Sequence, residues 1–193
     1  MKRAFDILFS LVVLIIFFPF GLLISIAILL SSRGGVFYRQ ERIGKRGKPF
    51  MLFKFRSMKL NADKKGKLTV GMTDSRITKI GVFIRKYKLD EFPQFINVLI
   101  GDMSVVGPRP HLPSLSSEYQ KDVDDYLKRH AVKPGITGLA QVSGYRGEIK
   151  KKSDIKNRVR LDIFYIENWS FLLDVKIILM TVFNVFKGEE NAY

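Results

Sequence analysis

The sequence predicts an α+β chain that is mainly helical: a small membrane-associated domain with one short β-hairpin. Three observations predict it. Residues Ile7 to Leu30 run for 24 positions without a charge. Between Val36 and Met58 two extended segments flank a Gly44–Gly47 turn. Beyond residue 74 the apolar positions recur three or four apart, the spacing of helices with one buried face. A length of 193 residues suits one domain, or one domain with a membrane anchor.

The apolar run is a membrane element. A straight helix of that length reaches roughly 36 Å, enough for a hydrocarbon core of about 30 Å. A cleaved signal peptide fits poorly, because the run is too long and no small-residue cleavage site follows it. Lys2 and Arg3 precede the run, and residues 31–60 carry nine Lys or Arg against one acid, Glu41. The positive-inside rule would keep both flanks in the cytoplasm. Pro19 and Gly21 sit near the middle, where proline removes a backbone donor and glycine eases a bend. Two readings follow: a helix–break–helix over residues 1–32 that returns to the face it entered, or a kinked spanning helix.

In the hairpin, Phe53 and Phe55 point one way while Lys54 and Arg56 point the other. That cationic face either meets water or an anion. "NADKKGKLTVGMTD" reads as a polar loop. Ile77, Ile80, Ile84 and Tyr87 then mark a helix ending at Lys88, with Asp74 or Ser75 as its cap. Phe92, Phe95, Ile96 and Leu99 mark the next, with Pro93 acceptable in its first turn. Asp90 and Glu91 occupy the corner between the two. An acid pair there suits a helix cap and the helix dipole, yet Arg85 and Lys86 lie one turn upstream. Free backbone N–H groups at the second helix start can face a phosphate.

"GDMSVVGPRPHLP" reads as a rigid loop in which flanking prolines fix the backbone around Arg109. "VKPGITGLAQVSGYRG" is a second glycine-rich loop, able to bring backbone close to a ligand and present Arg146. Between them, "SSEYQKDVDDYLKRH" is a surface helix with solvated charges. Ser153 caps a helix with Ile155, Val159, Ile163 and Ile166 on its buried face, where Arg158 and Asp162 form an i, i+4 pair. The tail is apolar at 171, 172, 175, 178, 179, 182, 183 and 186, a stripe that suits either core or a helix in the membrane interface.

Net charge is +15, from 33 Lys and Arg against 18 Asp and Glu. That excess calls for a polyanionic partner: nucleic acid, anionic lipid or phosphorylated substrate. With no cysteine, disulfides and thiolate metal sites are excluded, and His111 and His130 stand far apart in the chain. Catalysis then falls to carboxylates and cations. Paired acids repel anionic substrates unless a cation intervenes, as Mg²⁺ does in phosphoryl transfer. Arginines on rigid loops stabilise charge spread over a transferring phosphoryl group. An Asp can also attack phosphorus itself, and with no lone base in the motifs a nucleophilic Asp is the economical assignment.

Six segments carry a resemblance: "KRAFDILFS", "YRQERIG", "KFRSM", "LDEFPQFINVLIGDMSVVGPRP", "KPGITGLAQVSGYRG" and "LDIFYIENWSFLLDVKII". Over essentially its whole length the chain resembles the monotopic phosphoglycosyl transferases of the bacterial sugar transferase family, as a small member limited to the catalytic core. The resemblance implies transfer of a sugar-1-phosphate from a UDP-sugar to a polyprenol phosphate, undecaprenyl phosphate, with release of UMP. It implies a covalent phosphosugar on Asp90, with Mg²⁺ held by Asp90 and Glu91. Arg85, Arg109 and Arg146 map near the substrate phosphates, joined by Lys54 and Arg56. Asp162 matches the acid of an "LD" motif whose role stays open.

The resemblance also favours a re-entrant membrane helix over residues 1–32, broken at Pro19. Phe18 departs from members that carry serine before that proline. Residues 33–193 would form a catalytic domain at the membrane surface, with C-terminal interfacial amphipathic helices. The expected place is the cytoplasmic face of the bacterial inner (cell) membrane, on anionic phospholipid, with no nucleic-acid partner. Downstream glycosyltransferases would extend the product, this step being the first membrane step of glycoconjugate biosynthesis. A non-catalytic basic module on an anionic membrane explains the charge and the anchor. It gives no reason for the acid pair or the Pro-Arg-Pro loop. A soluble nucleic-acid binder leaves the apolar run unexplained.

Overall fold

A computed structural model describes residues 1–62, 74–147, 149 and 151–187. Most of the expected polar loop after Asn61 lies outside the described residues. The chain is mainly helical, with a short antiparallel hairpin and one long apolar helix at the N-terminus. Helix α1 spans Lys2–Ser31 and contains Pro19. Helical hydrogen bonding runs on through Pro19, so a return to the face of entry would rest on a bend within one helix and not on two separate helices. A proline withholds a single N–H donor, and hydrogen bonding can resume on either side of it.

Both ends of α1 dock on the same body. Arg3 donates to the carbonyls of Val98 and Leu99, where a cation suits the exposed carbonyls at a helix C-terminus. Lys2 pairs with Asp174, a buried carboxylate that also accepts from Tyr165 Oη at 2.6 Å and Trp169 Nε1 at 3.0 Å. Asp6 is buried and accepts from Ser104 Oγ and the Val105 N–H, both at 3.0 Å. At the other end Ile24 and Ile28 pack with Phe55 and Ile84. Arg56 donates to the carbonyls of Ser32 and Arg33, just past the last turn. Between these docks the outer face is apolar and exposed, with Ile15, Phe18 and Leu23 all above 60%.

Strands β1 (Phe37–Ile43) and β2 (Pro49–Phe55) form the expected antiparallel hairpin, with Phe37 opposite Phe55 and Ile43 opposite Pro49. The other edge of β2 is closed by one side chain. Asn97 accepts from the Phe53 N–H at 2.9 Å and donates to the Met51 carbonyl at 2.8 Å, so the strand leaves fewer orphaned backbone groups.

Helix α2 (Lys79–Lys86) is capped by Thr78, whose hydroxyl accepts from the Gly81 N–H at 3.0 Å, in place of Asp74 or Ser75. Gly81 is required: a Cβ there would lie 1.9 Å from the Ser57 carbonyl oxygen. Helix α3 covers Gln94–Ile100. The two sequences read as loops also contain strands, β3 (Ser104–Val106) and β4 (Gly135–Thr137), paired in parallel. Glycine permits their contact, since a Cβ on Gly135 would meet the Gly107 nitrogen at 2.1 Å. At three residues each, neither strand shows alternation long enough to read.

The expected surface helix is divided into α4 (Pro113–Asp122) and a 3₁₀ segment, Tyr126–Ala131. Its charges are not all solvated, because Arg129 is buried. After the short α5 (Leu139–Val142) come α6 (Lys152–Glu167) and α7 (Phe171–Lys187). Ser153 falls inside α6, one residue past its start. The main core joins Leu52, Val98, Met103, Val105, Val106, Val142, Tyr165 and Ile177. On α7, Ile177 faces that core while Phe171, Leu172, Leu179, Val182 and Phe183 stand exposed. Most of the predicted stripe is therefore surface.

Candidate active site

Asp90 and Glu91 lie in a 3₁₀ turn, Leu89–Glu91, between α2 and α3. Lys88 enters the turn with φ of 58°. That left-handed step lets the chain turn the corner in one residue. Both acids are about 8% exposed, and their surroundings differ. Glu91 Oε1 accepts from Arg109 Nη2 at 2.7 Å and from Lys54 Nζ at 3.1 Å, and Oε2 accepts from Arg146 Nη2 at 2.7 Å. These three cations hold the Glu91 carboxyl well below the usual range, against the opposing effect of burial. Asp90 accepts no hydrogen bond among the described residues. Burial, with the neighbouring Glu91 charge, pushes its carboxyl up to about 6, against Lys54, Arg85 and Arg109.

The pair opens into a cleft of about 1020 Å³. Among the described residues twelve Lys or Arg line it against four acids, Asp90, Glu91, Glu118 and Asp122. Its lining includes Phe37, Tyr38 and Phe55 of the hairpin, with Leu60. Leu115 and Tyr119 of α4, Ile149, and Ile155 of α6 also line it. A basic cleft of this size suits a ligand carrying more than one phosphate.

Of the residues singled out in the sequence, Lys54, Arg109 and Arg146 converge on Glu91. Arg85 lines the same cleft, and its charge reaches Asp90. Arg56 also borders the cleft, but its guanidinium is committed to the two backbone carbonyls beyond α1. Pro19 lies on the exposed face of α1, away from the cleft. The expected Arg158–Asp162 pair is corrected. Asp162 accepts from Arg129 Nε and Nη2 at 3.0 and 2.8 Å, while Arg158 donates to the Gly147 carbonyl at 2.7 Å. Helical spacing allows an i, i+4 pair, but Arg129 offers two donors to the same oxygen.

Several cleft residues carry no signal in the sequence beyond their charge. Arg42 donates to the Pro110 carbonyl at 3.2 Å, and burial beside Arg109 pulls it down to about 10. His111 is buried against Arg129 and Tyr126, and burial with the surrounding arginines holds its ring well below 6.5. His111 and His130, distant in sequence, both pack on the ring of Tyr126.

Fit to a divalent cation follows from the donor set. Among the described residues no three His, Asp or Glu side chains cluster, so an all-protein cage is not formed. Mg²⁺ is commonly held by one or two carboxylates plus substrate phosphates and water. Asp90, whose oxygens accept no hydrogen bond, suits that arrangement. Glu91 has both oxygens engaged by cations.

The sequence model of the family described as "bacterial sugar transferase" matches residues 1–188. The chain is 46% identical over 186 residues, 96% of its length, to the UDP-glucose:undecaprenyl-phosphate glucose-1-phosphate transferase of Escherichia coli K12. It is 39% identical over 97% of its length to an Aeromonas hydrophila UDP-N-acetylgalactosamine-undecaprenyl-phosphate N-acetylgalactosaminephosphotransferase. It spans about 40% and 44% of those two proteins. An exopolysaccharide production protein of Rhizobium leguminosarum bv. phaseoli is matched at 42% identity over 94% of the chain and 93% of its own length.

Proposed function

Because this chain belongs to the bacterial sugar transferase family, we propose that it moves a sugar-1-phosphate from a UDP-sugar to undecaprenyl phosphate through a covalent phosphosugar on Asp90. One observation carries the reading: two adjacent buried acids in unlike environments. Glu91 is neutralised by three cations, while Asp90 stands beside them with its oxygens uncommitted. Asp90, buried and with no hydrogen bond on its oxygens among the described residues, is the carboxylate left available to attack phosphorus.

Asp90 Oδ attacks the sugar-proximal phosphorus of the donor, the bond from that phosphorus to the UMP oxygen breaks, and UMP leaves. An oxygen of the lipid phosphate then attacks the same phosphorus. The acyl–phosphate bond breaks, Asp90 regains its carboxylate, and the lipid carries the sugar diphosphate. Arg109, Arg146 and Lys54, held around Glu91, present cations to the diphosphate as charge shifts to the leaving group. Arg85 lies on the Asp90 side of the cleft. Mg²⁺, held by Asp90 and substrate oxygens, would supply Lewis-acid charge neutralisation.

Docking of both ends of α1 on one body supports a re-entrant element over residues 1–32, and the remainder forms the catalytic body at the cytoplasmic face of the inner membrane. The exposed apolar rows of α1 and α7 would lie in lipid, with the basic surface near anionic headgroups. The wall at Arg56, which is tied to the carbonyls just past α1, suits the lipid phosphate. The apolar wall with Tyr119 and Ile155 suits the nucleoside.

The test omits the acceptor. Protein with Mg²⁺ and a panel including UDP-glucose and UDP-N-acetylgalactosamine should release UMP in a burst no larger than the enzyme concentration. It should gain the mass of one sugar phosphate at Asp90, and Asp90→Asn should abolish both signals. A competent donor that yields no UMP until lipid is added would exclude the covalent step. Salt-sensitive vesicle binding with no UMP from any donor, lipid included, would favour the non-catalytic basic module.

A further inference from the structure

We propose that Arg129 and Asp162 are positioning residues for the transfer: they hold the backbone carbonyl of Arg109 and so aim its guanidinium into the cleft. The inference rests on the function proposed above, in which Arg109 meets the donor phosphates.

The loop from Gly107 to His111 is tied at every residue. The Gly107 N–H donates to the Thr137 carbonyl at 2.9 Å, and the Pro108 carbonyl accepts from the Gly135 N–H at 3.0 Å. The Pro110 carbonyl accepts from Arg42, and the His111 carbonyl accepts from the Ile43 N–H at 3.0 Å. Prolines on both sides restrict the torsions around Arg109. The freedom left is the orientation of the peptide plane between Arg109 and Pro110. Arg129 holds it: its Nη2 donates to the Arg109 carbonyl at 2.7 Å.

Arg129 can do this because it is itself immobile. Its side chain is 1% exposed and that of Asp162 is 3% exposed. All five of its N–H donors have acceptors in reach. Nε and one Nη2 hydrogen go to Asp162 Oδ2, and the other Nη2 hydrogen goes to Arg109. Nη1 faces His111 Nδ1 at 2.9 Å and Tyr126 Oη at 3.4 Å. Asp162 projects from α6, so the helix sets the fork and the fork sets the loop. A lysine could pair with Asp162 but, with one nitrogen, could not reproduce the planar fork. Sequence spacing pairs Asp162 with Arg158 instead, which conceals the connection.

The test measures kcat and KM for the UDP-sugar in the full chain with undecaprenyl phosphate. Asp162→Asn and Arg129→Lys are made in the parent and in Arg109→Ala. Misplacing one reacting or stabilising group by about 1 Å costs on the order of 10²-fold in rate. Each substitution should therefore lower kcat by roughly 10²-fold with little change in KM. In the Arg109→Ala background each should change kcat by less than about 2-fold, because its target is already gone. Asp162→Asn is isosteric and carries the test alone should Arg129→Lys not fold.

Losses that multiply with that of Arg109→Ala, or that vanish when rates are corrected for folded protein, overturn the positioning role. If the parent releases no UMP from any UDP-sugar, the proposed function falls and this inference with it. An active parent with multiplying losses removes this inference alone.

Discussion

Phe17, midway along the apolar helix, stacks on Phe92, the residue that follows Asp90 and Glu91: the ring centroids are 3.8 Å apart and the planes 16° from parallel. The long apolar helix thus supports the turn that carries the acid pair. Phe17→Ala should lower stability by about 1–3 kcal/mol, from lost burial and stacking. It should also reduce kcat about 10-fold, as a small misplacement of the dyad would. Ile16→Ala, on the exposed face, is the control. Partitioning into vesicles should be the same for both variants and the parent. Equal turnover in the two variants would show that the stack does not reach the site.

Glu91→Gln leaves Lys54, Arg109 and Arg146 facing one another without their shared counter-charge. Removing one partner of a buried ion pair costs about 3 kcal/mol or more. The urea midpoint should fall at unchanged m-value. UDP, an anion able to replace the lost charge, should raise the midpoint more in the variant than in the parent. A variant as stable as the parent would mean that the three cations are solvated when Glu91 is neutral.

The helix α1 bears on topology. The chain has no cysteine, so single cysteines at Ala4 and Gly35 give unambiguous labels. Both positions are exposed. In sealed vesicles a membrane-impermeant maleimide should reach both from the same side. Labelling from opposite sides would establish a crossing and remove the re-entrant reading.

His111 predicts a pH dependence of stability. Burial first, then the charges of Arg129, Arg158, Arg42 and Arg109, hold its folded pKa well below the unfolded value of about 6.5. The unfolded chain therefore takes up a proton there while the folded chain does not. Stability from this group is complete above about pH 6.5 and declines as pH falls below it, by up to about 1.4 kcal/mol per pH unit. His111→Gln removes this dependence. The parent-minus-variant difference in unfolding free energy should be flat from pH 7 to 8 and shrink from about pH 6.5 to 5.5. Titration of His130 and Asp90, common to both proteins, cancels in the difference. A difference that stays flat to pH 5.5 would show that the folded ring accepts a proton.

What the sequence determined by itself was local. The uncharged run from Ile7 to Leu30, the alternation in the hairpin, and the apolar faces of α3, α6 and α7 are periodic, and periodicity is a property of neighbours along the chain. The acid pair and the Pro-Arg-Pro loop were legible as motifs. An acid pair at a helix start also suits a cap and the helix dipole, and it was their occurrence together with the family resemblance that singled them out. Tertiary structure alone decided the partners. It set three cations on Glu91 and, among the described residues, none on the Asp90 oxygens. It moved Asp162 from Arg158 to Arg129, and buried an arginine expected to be solvated. It also paired β3 with β4 across residues distant in sequence. The physical reason is that burial and ion pairing depend on which segments meet in space. A charge 30 or more positions away can be the nearest counter-ion, and no local pattern records it.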